Sequence, residues 1–99
     1  MTVKFLQSGG FGGLFKGCDL DTEQLSAEQA RELEGLVKRS GLSDSQERRS
    51  TSARDLRQYE LTIEAGSKKF QVIFDDETLP ADAKPLVNFL LKLSKPKSP

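Results

Sequence analysis

The sequence contains no histidine, no tryptophan and a single cysteine in 99 residues. Without histidine the chain lacks the commonest general base near neutral pH and the commonest nitrogen ligand for metals. Cys18 has no histidine to activate it and no second cysteine to bridge, which excludes a Cys-His nucleophile and an intrachain disulfide. Beside Leu20 in a strand-like stretch, it is expected to be a small core residue. A lone cysteine also suits a reducing compartment. Neither charge is in surplus: 15 Lys and Arg face 15 Asp and Glu, so nothing favours nucleic acid or an anionic membrane as partner. No apolar run of signal-peptide length follows Met1-Thr2-Val3-Lys4-Phe5, and no stretch nears the roughly 20 apolar residues of a membrane span. The expectation is a soluble, cytoplasmic protein.

What is present is most distinctive between Gln7 and Leu14, where Gly9, Gly10, Gly12 and Gly13 surround Phe11. Glycine admits positive φ and close approach to another backbone. The tract lacks the GK[ST] ending of a phosphate loop and the spacing of a dinucleotide fingerprint. It separates two strand-like stretches, Val3–Gln7 and Leu14–Leu20, and so is expected to form a hairpin tip. Two readings of Phe11 remain open: an exposed anchor for a protein partner, or a side chain folded back onto the core.

The rest of the chain supplies the other elements. Ser26 with Gln29 forms a capping box for a helix running to about Ser40, with Ala30, Leu33, Leu36 and Val37 on its apolar stripe and Gly41 as the αL residue beyond it. Leu25 and Ala30 suit a weak hydrophobic staple. Ser43–Ser52 has no large apolar side chain and reads as a mobile polar loop. Within Arg54–Ala65, Tyr59, Leu61 and Ile63 alternate with Glu60, Thr62 and Glu64, and Phe70, Val72 and Phe74 share one face of the next strand. A last helix is expected from Ala81 or Asp82, with Leu86, Phe89, Leu90 and Leu93 inward, Ala83 and Val87 flanking, and Pro85 in its first turn. The order β-β-α-β-β-α predicts a two-layer α+β domain, with a four-stranded antiparallel sheet and two helices on one face. Residues 1–95 are read as one domain, 43–53 as a mobile polar loop inside it, and 96–99 as a frayed tail.

Candidates for chemistry are few. Asp19 and Asp21 share a strand face and would be the acid/base pair of an enzyme reading. Asp75, Asp76 and Glu77 would suit a hard cation but fit no EF-hand spacing, and adjacent acids also cap helices. No cofactor and no bound metal are expected. A protein-binding module is the stronger class, and a monomer is expected because no sustained heptad is present.

Four stretches in order carry a resemblance: Val3–Leu14, Gly17–Asp21, Ala53–Ile63 and Phe74–Pro80. Together the chain resembles the emfourins, small bacterial protein inhibitors of protealysin-like, thermolysin-related zinc metalloproteases. The resemblance spans nearly everything except Ser43–Ser52 and the proline-rich tail. It implies a proteinaceous inhibitor that occludes a protease cleft and has no catalytic residues. The residues themselves suggest Gly9, Gly10, Phe11, Gly12 and Gly13 as the inhibitory segment, with Met1, Ser8, Phe15, Asp75 and Asp76 as flanking contacts. Within that set, Phe11, an acidic side chain or the amine of Met1 are alternatives for the group nearest the target zinc. The reading from another class is a non-catalytic adaptor that binds a partner through a sheet edge or loop.

Overall fold

The computed structural model describes residues 1–9, 15–50 and 56–96. Among these residues, six strands and two helices follow in order: β1 (Thr2–Gly9), β2 (Lys16–Asp21), α1 (Ala27–Ser40), β3 (Gln46–Arg48), β4 (Arg57–Ala65), β5 (Lys68–Asp75), a 3-10 turn (Ala81–Ala83), α2 (Lys84–Leu93) and β6 (Lys95–Pro96). All six strands join one sheet in the order β3-β5-β4-β1-β2-β6.

This corrects the expected four-stranded antiparallel sheet. The two additional strands lie at its edges, and β3 runs parallel to β5, with Gln46 opposite Val72 and Arg48 opposite Phe74. Neither addition carries the alternating apolar signature, because neither buries a side-chain row. Backbone pairing and side-chain ties hold β3: the Gln71 amide donates to Ser45 Oγ at 3.0 Å, and Thr78 Oγ1 donates to the Arg48 carbonyl at 2.7 Å. β6 is two residues long and lies opposite Lys16 and Gly17. Pro96 is tolerated there because an edge strand need not donate on its outer side.

The four inner strands form as their patterning predicts. Alternation places every second residue on one face, and the register aligns those residues into rows. Val3 lies between Leu20 and Ile63, with Phe70 beyond. Phe5 lies between Cys18 and Leu61, with Val72 beyond. Gln7 lies opposite Tyr59, with Phe74 beyond. Leu33, Leu36 and Val37 of α1 and Leu86, Val87 and Leu90 of α2 join the same buried cluster, so both helices cover this face. Each large apolar side chain fully buried here contributes about 1.5–3 kcal/mol relative to exposure. The opposite face carries Lys4, Glu60, Thr62 and Gln71, none of them buried.

Both helices begin and end where local chemistry sets them. Ser26 caps α1 by accepting the Gln29 amide at 3.1 Å, and Gly41 closes it at φ 74°. Ala81–Ala83 forms a 3-10 turn before α2 proper, and Pro85 falls in the first turn of α2. The inward side of α2 differs from expectation. Ala83 and Val87 are buried, whereas Phe89 and Leu93 pack partly buried against the cluster. Cys18 is buried in the core, its thiol directed at the Leu90 carbonyl at 3.6 Å.

Candidate functional site

β1 ends at Gly9, the first glycine of the tract. Gly9 has φ 79°, and a Cβ built on it would lie 3.1 Å from the Leu56 carbonyl oxygen. Both facts exclude an ordinary side chain: the left-handed region is costly for L-residues, and the backbone oxygen occupies the space. Of the expected inhibitory residues, Gly10, Phe11, Gly12 and Gly13 lie outside the described residues, as does Leu14. Gly9 and the strands on either side fix where the segment departs. Ser8 is half-buried opposite Gln58, and Phe15 is half-buried just before β2.

Asp75 and Asp76 lie at this same end of the sheet. Gly9 pairs with Arg57 and Ser8 with Gln58 across β1 and β4, and Gln58 pairs with Asp75 across β4 and β5. Beyond Asp75 the chain turns back, with the Thr78 and Leu79 amides donating to the Asp75 carbonyl at 3.2 and 3.0 Å. The Asp75 side chain closes the turn. Its carboxylate accepts the amide of Ser50, and the amides of Glu77 and Thr78 at 2.9 Å each. Asp75 is only 3% exposed. The Ser50 amide above all, with those of Thr78 and Glu77, holds its carboxyl below the ordinary carboxylate value against the opposing effect of burial. Ser50 Oγ also donates to Glu77 Oε2 at 2.7 Å, which ties the chain after β3 to the same turn.

Asp76 faces the start of β4. One carboxylate oxygen accepts the Arg57 amide at 2.9 Å and lies 3.7 Å from the Arg57 guanidinium. The other accepts the Tyr59 hydroxyl at 2.5 Å. The Tyr59 ring stacks with Phe5 of β1, with centroids 6.4 Å apart and planes 15° from parallel. Burial, followed by the hydrogen bond to Asp76 and its charge, pushes the Tyr59 hydroxyl up to about 12, partly offset by the Arg57 charge.

The expected flanking contacts therefore divide. Ser8, Gly9, Asp75 and Asp76 share one end of the sheet. Met1 lies at the other, its amine donating to Thr22 Oγ1 at 3.1 Å, and the eight residues of β1 put roughly 25 Å between it and Gly9 at strand rise. Both aspartates accept hydrogen bonds from within the fold. Sequence reasoning did not assign Arg57, Tyr59, Ser50 and Thr78 to this end. The available signal was a tyrosine among aliphatic residues on a core-facing strand, with two acids at the exit of the next.

Elsewhere, Asp21 Oδ1 accepts the Glu23 amide at 2.9 Å in the turn after β2, while Asp19 lies opposite Lys4. Among the described residues no group of three or more His, Cys, Asp or Glu side chains is placed to hold a metal ion. The arrangement is a set of hydrogen bonds at the end of the sheet where β1 closes at Gly9.

No curated protein and no solved structure matches the chain. The family model described as Emfourin matches residues 5–91, from the middle of β1 into the last turn of α2. The chain thus belongs to the Emfourin family, and it is a non-enzymatic protease inhibitor of the protealysin/thermolysin-directed type.

Proposed function

We propose that this inhibitor acts by occluding the active-site cleft of a protealysin-like zinc metalloprotease with the Gly9–Gly13 segment, Phe11 serving as the apolar anchor. The observation that carries this reading is the exit at Gly9. A left-handed glycine packed against the Leu56 carbonyl ends one of the two central strands of the sheet. An apolar subsite in the cleft is a natural receptor for one aromatic side chain, and the glycines let the backbone run close to the cleft wall. A glycine-rich segment loses much entropy on ordering, so it needs a firm base, and the rim of hydrogen bonds supplies one.

The inhibitor acts by blocking access rather than by removing zinc, and it requires no cofactor. It functions as a monomer in the cytoplasm of the bacterium that makes the protease, with neither nucleic acid nor membrane as partner. Among the described residues no helix is long and apolar enough to cross a membrane.

Titrating a protealysin-like enzyme with this protein tests the proposal. Activity is expected to vanish near one equivalent of inhibitor and not to return on adding zinc. Undiminished proteolysis at a large molar excess would overturn it. Phe11→Ala (F11A) is expected to weaken inhibition about tenfold or more, the order of one buried phenylalanine, while the folding midpoint moves little. Unchanged inhibition by folded F11A removes the anchor, and unfolding of F11A places Phe11 in the core.

A further inference from the structure

We infer that Asp76 is a positioning residue for inhibition: its carboxylate holds the first residues of β4 in place and so fixes the point at which β1 leaves the sheet. The inference rests on the proposal that the segment beginning at Gly9 enters the protease.

The ladder between β4 and β5 ends at the pair Gln58 and Asp75, whereas the ladder between β1 and β4 continues one residue further, to Gly9 and Arg57. Arg57 is thus the one residue of β4 that pairs with β1 after β5 has turned away. An unpaired amide at that position would favour fraying of the strand end. The Asp76 side chain replaces the missing strand, taking the Arg57 amide at 2.9 Å. Its second oxygen takes the Tyr59 hydroxyl, two residues along the same strand, and the Tyr59 ring lies against Phe5 of β1. One carboxylate therefore grips β4 at two alternate residues and connects to β1 through an aromatic stack.

The contact most sensitive to this grip is at Gly9, whose α-carbon faces the carbonyl of Leu56, the residue immediately before Arg57. If the start of β4 moves, the wall against which Gly9 turns moves with it. Asp75 differs in kind. Its carboxylate ties its own turn to Ser50, and its backbone closes the last pair of the β4–β5 ladder with Gln58. The neighbouring acids thus have separate tasks: Asp75 shapes the turn, and Asp76 braces the exit of the inhibitory segment.

The test compares Asp76→Ala (D76A), Asp76→Asn (D76N) and Tyr59→Phe (Y59F) in the full chain. It measures inhibition of a protealysin-like metalloprotease, the dissociation rate of the complex and the thermal midpoint of the free inhibitor. D76A is expected to weaken inhibition about tenfold, or about 1.4 kcal/mol, mostly through faster dissociation. D76N keeps one acceptor oxygen and is expected to recover much of this, leaving a loss of about threefold. A double-mutant cycle with F11A separates positioning from general stability, because a brace acting through the segment matters less once the anchor is gone. Wild-type inhibition by folded D76A overturns the inference, as do, where F11A itself weakens inhibition, D76A and F11A losses that simply multiply. If D76A fails to fold, D76N and Y59F carry the test, and unaltered inhibition by both overturns it. The two proposals fail separately. Loss in D76A with none in F11A removes the anchor and leaves the brace to its D76N rescue, whereas loss in F11A with none in D76A does the reverse.

Discussion

The two ends of the sheet are closed by different means. At the end near Met1, backbone does most of the work, with the Thr22 hydroxyl and the Asp21 carboxylate assisting. β4 passes to β5 through Gly66 and Ser67, with Gly66 at φ 61° and open space around it, and Met1 and Thr22 are bonded through the Thr22 amide and the Met1 carbonyl at 3.0 Å. At the end near Gly9, side chains do it. Asp76 takes the Arg57 amide at the start of β4, Thr78 Oγ1 donates to the Arg48 carbonyl at the end of β3, and Asp75 takes the amides of Ser50 and Thr78 in the chain beyond the strands. Backbone closure depends little on residue identity beyond a glycine, whereas side-chain closure depends on particular functional groups. The end at Gly9 is therefore the one whose geometry can be altered by single substitutions without dismantling the sheet.

The largest effect expected from any single change lies between the ends, and it erases the contrast. Leu61 is fully buried in the central row between Phe5 and Val72. Leu61→Ala is expected to cost about 2–5 kcal/mol of folding stability. Chemical denaturation should show the midpoint falling, and inhibition should be lost only in proportion to the unfolded fraction.

A matched pair of glycine substitutions sharpens the contrast directly. Gly9→Ala and Gly66→Ala each force an alanine to positive φ, a cost of about 1–2 kcal/mol. Gly9→Ala adds a methyl 3.1 Å from the Leu56 oxygen, while Gly66→Ala meets nothing within 4 Å. Gly9→Ala is expected to be the more destabilising and to weaken inhibition beyond its effect on folding. Gly66→Ala should leave inhibition by the folded protein unchanged. Equal loss of inhibition in the two variants would remove the functional distinction between the ends.

The smallest expected effect is a change of slope with pH. The Asp75 carboxyl is held below its ordinary value of 3.8 in the folded protein. Its contribution is therefore complete above about pH 4, where the unfolded carboxyl is also ionised, and is lost as pH falls through the depressed folded value. Asp75→Asn has no carboxylate to protonate, so its stability should fall less steeply below pH 4 than that of the parent. Denaturation midpoints across the acid range check this, and identical slopes would argue against the bound carboxylate.

Much of this fold is legible in the chain because burial imposes a period. Tyr59, Leu61 and Ile63 could face the core only as a strand, as could Phe70, Val72 and Phe74. Ser26 with Gln29, and Gly41, mark the ends of α1 through local capping that needs no tertiary information. The strand Gln46–Arg48 was illegible for the converse reason. It is polar, short and parallel to a strand more than twenty residues later, so it is held by backbone pairing and by hydroxyl ties from Ser45 and Thr78 that leave no apolar pattern. Lys95–Pro96 was hidden in the same way, behind a proline that argues against a strand except at an edge. At the candidate site, the glycines and the acidic pair were visible as composition. The division of labour between Asp75 and Asp76 was not, because it follows from one ladder ending a residue before its neighbour.

The sheet order also has a consequence for how the inhibitor comes into being. β1 precedes the other strands of the sheet in the chain, yet it sits near the middle of the sheet, and its partner β4 spans residues 57–65. Pairing so distant in the chain forms late and slowly, because a long loop must close before any contact compensates for its entropy. On the ribosome, the hairpin of β1 and β2 would wait with one edge unsatisfied until β4 emerged. The setting of Gly9 against the Leu56 carbonyl is complete only in a chain synthesised past the start of β4.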